Sequence, residues 1–390
     1  MRIYLDHNAA SPLRPEVREA CAELAGFAGN PASIHHSGQR ARRVLEQARE
    51  RIAALIDADP RSVIFTSGGT ESNNLAIFGT AMAKPARRRI ISTAVEHSSV
   101  IEPLAALQER GFEIVRLPVD RDGRIAADST RAALDSDTAL VTLGLANSET
   151  GTIQDLAPLA AAIRKCGALF HIDAAQALGR IPVSVTALGC DLMTLSGHKL
   201  GASAGIGALY VRDQARLAPL ILGGPQEYGQ RGGTPNLTGA VGFGVAAETI
   251  RNSLEAESTR VAALADRLVA RLLDDVPGLA LNGLLGGRLP NTLNLTFPSV
   301  LGESLLVALD LEGVEVSMGS ACAAGSVEAS HVLLAMGRSE AAARSSLRIS
   351  LGWSTTTIEI DRAAEIIPRV WRRVAAAEPH FARNAEGAPQ

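Results

Sequence analysis

The chain has 390 residues, 46% of them hydrophobic and 20% charged, with a formal net charge of −3. That is apolar material for at least one large core, and the charge supplies no drive toward nucleic acid or an anionic lipid surface. No uninterrupted apolar run approaches the ~18 residues of a membrane span, so neither nucleic acid nor a membrane is an expected partner.

In chain order, the N-terminal MRIYLDHNAASP carries neither an apolar signal core nor transit-peptide character. Residues 62–67 (SVIFTS) read as a buried strand, followed by a Gly-Gly turn and a helix over 72–83. The tight basic run Arg87, Arg88 and Arg89 reads as a solvated strand start. Further strands are expected at 90–95, 113–119, 139–146, 168–173, 191–196 and 207–211, with helices near 101–110 and 156–166 between several of them. Such alternation predicts an α/β fold, a mostly parallel seven-stranded sheet with helices on both faces. After about Gly239 the pattern changes: a long Ala/Leu-rich helix to about Leu273, a strand at 291–297, a helix at 302–311, a strand at 345–352 and a final helix over 358–376. This predicts a smaller α+β domain. The expected division is a large domain at 15–255, a small one from 1–14 and 256–376, and a frayed tail at 377–390. Cys21, Cys166, Cys190 and Cys322 show no CxxC spacing and no ladder of a secreted scaffold, so a reducing cytoplasm is the expected compartment.

Three motifs carry chemistry. SGGTESNN (67–74) follows a strand and opens a helix, where free N–H groups suit a phosphate; an ordinary strand–helix turn is the plain alternative. Asp173, in HIDAAQ, ends an apolar strand, where a carboxylate needs a cation or several donors. A protonated pyridine nitrogen is one such cation and a simple capping role is the other reading; Gln176, three residues on, could donate to a ring oxygen. Lys199, in SGHK after the strand 191–196, is either a desolvated nucleophilic amine or a surface lysine, and His198 either a phosphate donor or a turn residue. All three motifs lie at carboxyl ends of strands, where open α/β sheets collect ligands.

With these residues in view, the sequence resembles the class V aminotransferase-type enzymes that use pyridoxal 5′-phosphate, and closely the cysteine desulfurases of the NifS/IscS kind. The matching stretches run in order over nearly the whole chain: YLDHNAASP, GNPASIHHSG, TSGGTESNN, EHSSV, ANSETGTIQ, HIDAAQALG, SGHKLGASAGIGALYV, RGGTPN, SMGSACAAGS and SLRISLGWSTT. The resemblance implies fold type I, with Lys199 as the Schiff-base lysine and Asp173 on the pyridine nitrogen. His97 would stack on the ring and assist proton transfer. Asn147 and Gln176 would contact the ring oxygen, and Gly69, Thr70, Ser196 and His198 would hold the phosphate. Thr234 would reach the phosphate from a partner subunit, which implies a homodimer. Arg348 would take the substrate α-carboxylate, with Asn8, Asn147 and the stretch 30–35 lining the pocket.

Cys322 is the distinguishing residue. Its Gly, Ser and Ala neighbours suit an exposed thiol on a mobile loop, whereas Cys21, Cys166 and Cys190 read as buried structural thiols. By the resemblance, L-cysteine is converted to L-alanine while its sulfur forms a persulfide on Cys322. The sulfur then passes to an acceptor or iron–sulfur scaffold protein, in iron–sulfur cluster assembly or a thiolation pathway. A selenocysteine lyase, or another class V enzyme, is the alternative. No ligand-spaced histidine pair appears, so no metal is expected, apart from a cluster that Cys322 could share transiently with a scaffold. Two departures from the family pattern stand out: Ala10–Ser11 in place of a threonine pair, and Glu227–Tyr228 in place of Glu-Arg before RGGTPN.

Overall fold

The computed structural model describes residues 2–213, 215–284, 286–319 and 328–378. In chain order its strands are β1 (Ile3–Tyr4), β2 (Val63–Thr66), β3 (Arg89–Thr93), β4 (Glu113–Leu117), β5 (Thr138–Gly144), β6 (Leu169–Asp173), β7 (Leu192–Ser196), β8 (Gly207–Val211), β9 (Ala280–Leu281), β10 (Thr292–Thr296), β11 (Val314–Glu315) and β12 (Ser346–Ser350). Seven form one sheet in the order β2-β8-β7-β6-β5-β3-β4. In it β8 runs antiparallel to both neighbours, and the other pairings are parallel. This is the α/β architecture of fold type I, with a smaller α+β unit beside it.

The sheet is buried on both faces, which explains why its strands are apolar runs rather than alternating ones. Leu140, Leu169 and Leu192 pack into one core, while their chain neighbours Val141, Phe170 and Met193 pack into another on the opposite face. The period-2 alternation of side chains divides each strand between the two.

The smaller unit has its own core, built on the antiparallel sheet β12-β10-β9 and the parallel pair β1-β11. A 39-residue helix, Leu237–Asp275, joins the two parts and spans about 58 Å at 1.5 Å per residue. Its early turns, through Ile250, belong to the large core, and its later turns, from Val261, belong to the small one. The expected division at residue 255 falls inside this continuous helix.

Sequence reading passed over the helix His36–Leu55. Its apolar positions Ala41, Leu45, Ala48 and Ile52 recur at helical spacing among arginines and glutamates. It packs closely on the long helix, where a Cβ at Gly244 would lie 2.7 Å from Ala48 Cα. The three consecutive arginines have partners within the chain. Arg87 donates to the carbonyls of Thr138 and Cys166, Arg88 to that of Arg110, and Arg89 pairs with Glu113. Among the described residues, no helix is long and apolar enough to cross a membrane.

Candidate active site

The strands β2, β6 and β7 point the same way, so the motifs that follow them meet on one rim of the sheet. A cavity of about 260 Å³ opens there, lined by Gly69, Thr70, His97, Asn147, Asp173, Gln176, Ser196, His198 and Lys199. Nine of the residues singled out from the sequence therefore share one wall-to-wall site.

On one side, the helix Gly69–Ala83 starts directly beyond β2. Gly68 adopts φ 157° and ψ −178°, a backbone region reserved in practice for glycine. Gly207 must also lack a side chain, since a Cβ would lie 2.7 Å from the Gly68 backbone. The first-turn N–H groups of such a helix have no partner within it and favour an anion. Ser196 and His198 approach from the end of β7, with Ser196 Oγ 3.1 Å from His198 Nδ1. Burial and the adjacent Lys199 push His198 down to about 4, so it is neutral at physiological pH. These groups make a cradle for a phosphate.

At the floor, Asp173 is held by a hydrogen-bond chain that sequence reading missed. Asn73 Nδ2 donates to Asp173 Oδ2 at 2.8 Å and to Ser99 Oγ at 2.8 Å. Ser99 Oγ lies 2.8 Å from His97 Nδ1, which also accepts from the Ser99 N–H. With Nδ1 accepting, the imidazole proton is placed on Nε2. Desolvation in the cleft lowers the His97 pKa, which favours this neutral form. Asp173 Oδ1 accepts from the Ala175 N–H, so the carboxylate is oriented for a cationic ring nitrogen. The signal was present in SNN, since Asn73 follows the phosphate turn by one helical turn.

Lys199 Nζ donates to the carbonyl oxygens of Asn8 and, at 2.9 Å, Ala9. Burial, then the nearby charges of Arg180 and Arg348, lower its pKa to about 7. An amine so placed is deprotonated enough to attack an aldehyde near neutral pH.

Other expected residues sit differently. The Asn8 side chain is consumed by Ser148, Thr292 and Asn291, so Asn8 offers Lys199 its carbonyl, not its amide. Gln176 Nε2 donates to that same carbonyl, leaving Oε1 buried without a partner. Asn147 lines the cavity, but its Oδ1 caps the following turn and its Nδ2 donates to Val95. Arg348 is buried outside the cavity lining, bound through Nη2 to Asp6 at 2.8 Å and through Nη1 to the Ser148 carbonyl. Thr234 is exposed and does not line the cavity of its own chain. The stretch 30–35 departs from expectation: Asn30, Pro31 and Ala32 line a separate hollow with Glu227 and Tyr228. The stretch is tied to the helix His36–Leu55, since Arg42 Nε donates to the Pro31 carbonyl at 2.9 Å. Cys322 lies outside the described residues. Among the described residues, Cys21, Cys166 and Cys190 are free, and no group of three His, Cys, Asp or Glu side chains is placed to hold a metal.

Beneath His97, Glu96 is 6% exposed and accepts from Thr93 Oγ1 at 2.7 Å. Burial raises its pKa from 4.5 to about 7. The folded protein therefore binds the extra proton between these values, and the stability it lends is lost as pH rises through that window. Glu96→Gln should remove this loss. Thermal melts should show the variant gaining on the unsubstituted protein by roughly 3 kcal/mol as pH rises across the window; an unchanging difference would refute a protonated Glu96.

The model of the family described as Aminotransferase class-V matches residues 3–363. The chain is 43% identical over 380 residues to the cysteine desulfurase IscS of Dictyoglomus turgidum, covering 97% of this chain and 96% of that protein. Among solved structures, it is similar to a NifS-like protein with a TM-score of 0.90 and 34% identity, covering 96% of this chain and 100% of the other. It is also similar to the structure titled SspA in complex with cysteine, with a TM-score of 0.80 and 35% identity, covering 90% and 99%.

Proposed function

The chain belongs to the class-V aminotransferase family, among the cysteine desulfurases of the NifS/IscS kind, and from that premise we propose that it converts L-cysteine to L-alanine and hands the sulfur on as a Cys322 persulfide. The observation that carries the reading is the meeting of three groups in one cavity: a helix N-terminus, a buttressed carboxylate and a desolvated lysine.

The residues fit pyridoxal phosphate. The buried Gln176 Oε1 and Asn73 Oδ1 have no protein partner and would be satisfied by a polar ligand. Gly69, Thr70, Ser196 and His198 would hold the phosphate, Asp173 the ring nitrogen, His97 the ring face, and Asn147 and Gln176 the ring-oxygen side. In a homodimer, Thr234 would reach the phosphate in the neighbouring subunit's site. Bound there, the cofactor supplies an electron sink that makes the substrate's Cα proton and side chain labile.

The chain's own groups do the rest. Lys199 takes the proton from Cα and returns one, a role suited to an amine poised near 7. Arg348 binds the α-carboxylate, exchanging it for Asp6. The Cys322 thiolate attacks the substrate sulfur. A sulfur–sulfur bond forms, the carbon–sulfur bond breaks, and its electron pair stays with the carbon skeleton, which takes up a proton to become alanine. Neutral His97 is a donor through Nε2. The acceptor of the sulfur is a protein of a cluster-assembly or thiolation pathway.

Incubation with L-cysteine and a thiol reductant tests this reading. Alanine and sulfide should appear in equal amounts without any keto acid. Amino-group transfer that depends on a keto acid would instead make the protein a transaminase, and turnover confined to selenocysteine would make it a lyase.

A further inference from the structure

Cys322 stands three residues after Gly319 and eight before Ser330. Both of these flanking residues rest on one side chain. Ser330 Oγ donates to Glu149 Oε2, and any side chain at Gly319 would collide with the same carboxylate. Glu149 is 2% exposed, and burial raises its pKa. A carboxylate held there costs free energy that an apolar residue would not.

Its place in the chain gives that cost a purpose. Asn147 and Ser148 line the cofactor cavity, and Glu149 follows them directly, its N–H donating to Asn147 Oδ1 at 2.9 Å. On the incoming side of the Cys322 segment, Ser317 and Arg348 exchange backbone hydrogen bonds of 3.1 and 2.7 Å. The chain therefore enters beside the residue assigned to the substrate carboxylate. On the outgoing side, His331 Nε2 donates to the Glu96 carbonyl at 3.0 Å, and Val332 and Leu333 cluster with Val95. The chain therefore leaves beside the turn that carries His97. Three residues span at most about 11 Å, so the place of Gly319 bounds where the Cys322 main chain can lie.

We propose that Glu149 is a positioning residue for sulfur transfer: its carboxylate pins both ends of the Cys322 segment to the cavity wall and so sets the thiol within reach of the substrate sulfur. The inference rests on the assignment of Cys322 as the nucleophile. Glu149 acts through the chain, not on the substrate. The serine hydroxyl has one proton, given to Glu149, while its oxygen accepts from the Leu333 N–H at 3.2 Å. One bond thus holds both the segment's end and the start of the helix His331–Ala335. A reacting group misplaced by about 1 Å loses on the order of 100-fold in rate.

The test uses the holoenzyme and two reactions. The first is single-turnover formation of persulfide on Cys322 at saturating L-cysteine, followed by rapid quenching and mass spectrometry. The second is exchange of the Cα hydrogen of L-alanine in deuterated water, followed by NMR, which needs the cofactor and Lys199 but not the thiol. Glu149→Leu should slow the first at least ~10-fold and leave the second and the cofactor absorbance unchanged. Glu149→Gln, which keeps an acceptor for Ser330, should restore most of the rate. Ser330→Ala should repeat the selective loss, and adding it to Glu149→Leu should cost little more; it carries the test if Glu149→Leu fails to fold. Persulfide rates equal to that of the unsubstituted enzyme in these variants would overturn the proposal. So would an equal fall in both reactions, the mark of a merely structural role. No persulfide in the unsubstituted enzyme would instead overturn the assignment of Cys322 itself.

Discussion

Alanine in place of Lys199 is expected to give a folded protein that lacks the cofactor–lysine absorbance and forms alanine from cysteine about 10⁴-fold more slowly. Lys199 closes the turn Gly197–Lys199 just beyond β7, and its side chain is tied down by main-chain carbonyls, not by a core that its loss would open. The fold should survive, and so should phosphate binding, since the helix start, Ser196 and His198 are untouched. Arginine at the same position is the informative companion. It keeps the charge but does not deprotonate, so it should fail as alanine does. The poise of Lys199 near 7 adds a signature: uptake of pyridoxal phosphate by the cofactor-free protein should accelerate as pH rises through that value and then level off. Acceleration continuing toward the ordinary lysine range would contradict a desolvated amine. Absorbance spectra, alanine analysis and stopped-flow uptake are the measurements.

Replacement of Cys322 by alanine is the second large effect. Sulfide release should vanish while the cofactor absorbance stays intact, because the residues assigned to hold the cofactor are unaltered. The other thiols are poor substitutes. Burial raises Cys190 to about 12 and also raises Cys21, and Cys166 donates its S–H to the Ile163 carbonyl. A thiolate, not a thiol, is the nucleophile. Mass spectrometry after a pulse of cysteine should therefore find one added sulfur in the unsubstituted chain and none in the variant. Persulfide on another cysteine, or sulfide release at the normal rate, would remove Cys322 from the reaction.

What could be read in advance follows the range of the forces involved. The strands inside the large sheet announce themselves because both faces are buried and each becomes a local apolar run; only the edge strand β4 keeps exposed charges, at Glu113 and Arg116. Lys199, Asp173 and the turn before Gly69 were legible because strand ends of one sheet bring separate motifs together without further information. The missed features depend on pairings across the chain. β1 and β11 are two residues each, too short for any periodicity, and exist because they pair with one another. The direction of the Asn8 amide depends on Thr292 and Asn291, and the hold of Asp6 on Arg348 spans 342 positions. Asn30 lines a different hollow, in a stretch that Arg42 holds through the Pro31 carbonyl. The helix His36–Leu55 is a different kind of miss, since its spacing was in the sequence and its arginines masked it.

The N-terminal strand has a consequence for synthesis. Leu5 donates to the Glu315 carbonyl and accepts from the Ser350 N–H, and the Asn8 N–H donates to Ser350 Oγ. The residues whose carbonyls seat Lys199 thus leave the ribosome well before the partners that hold them. At roughly 5–20 residues per second, on the order of 20–70 s separate the two events. During that interval the large sheet can form, but the lysine has no seat. Full cofactor capture therefore waits for β12, and a polypeptide stopped before it would be released without an assembled site.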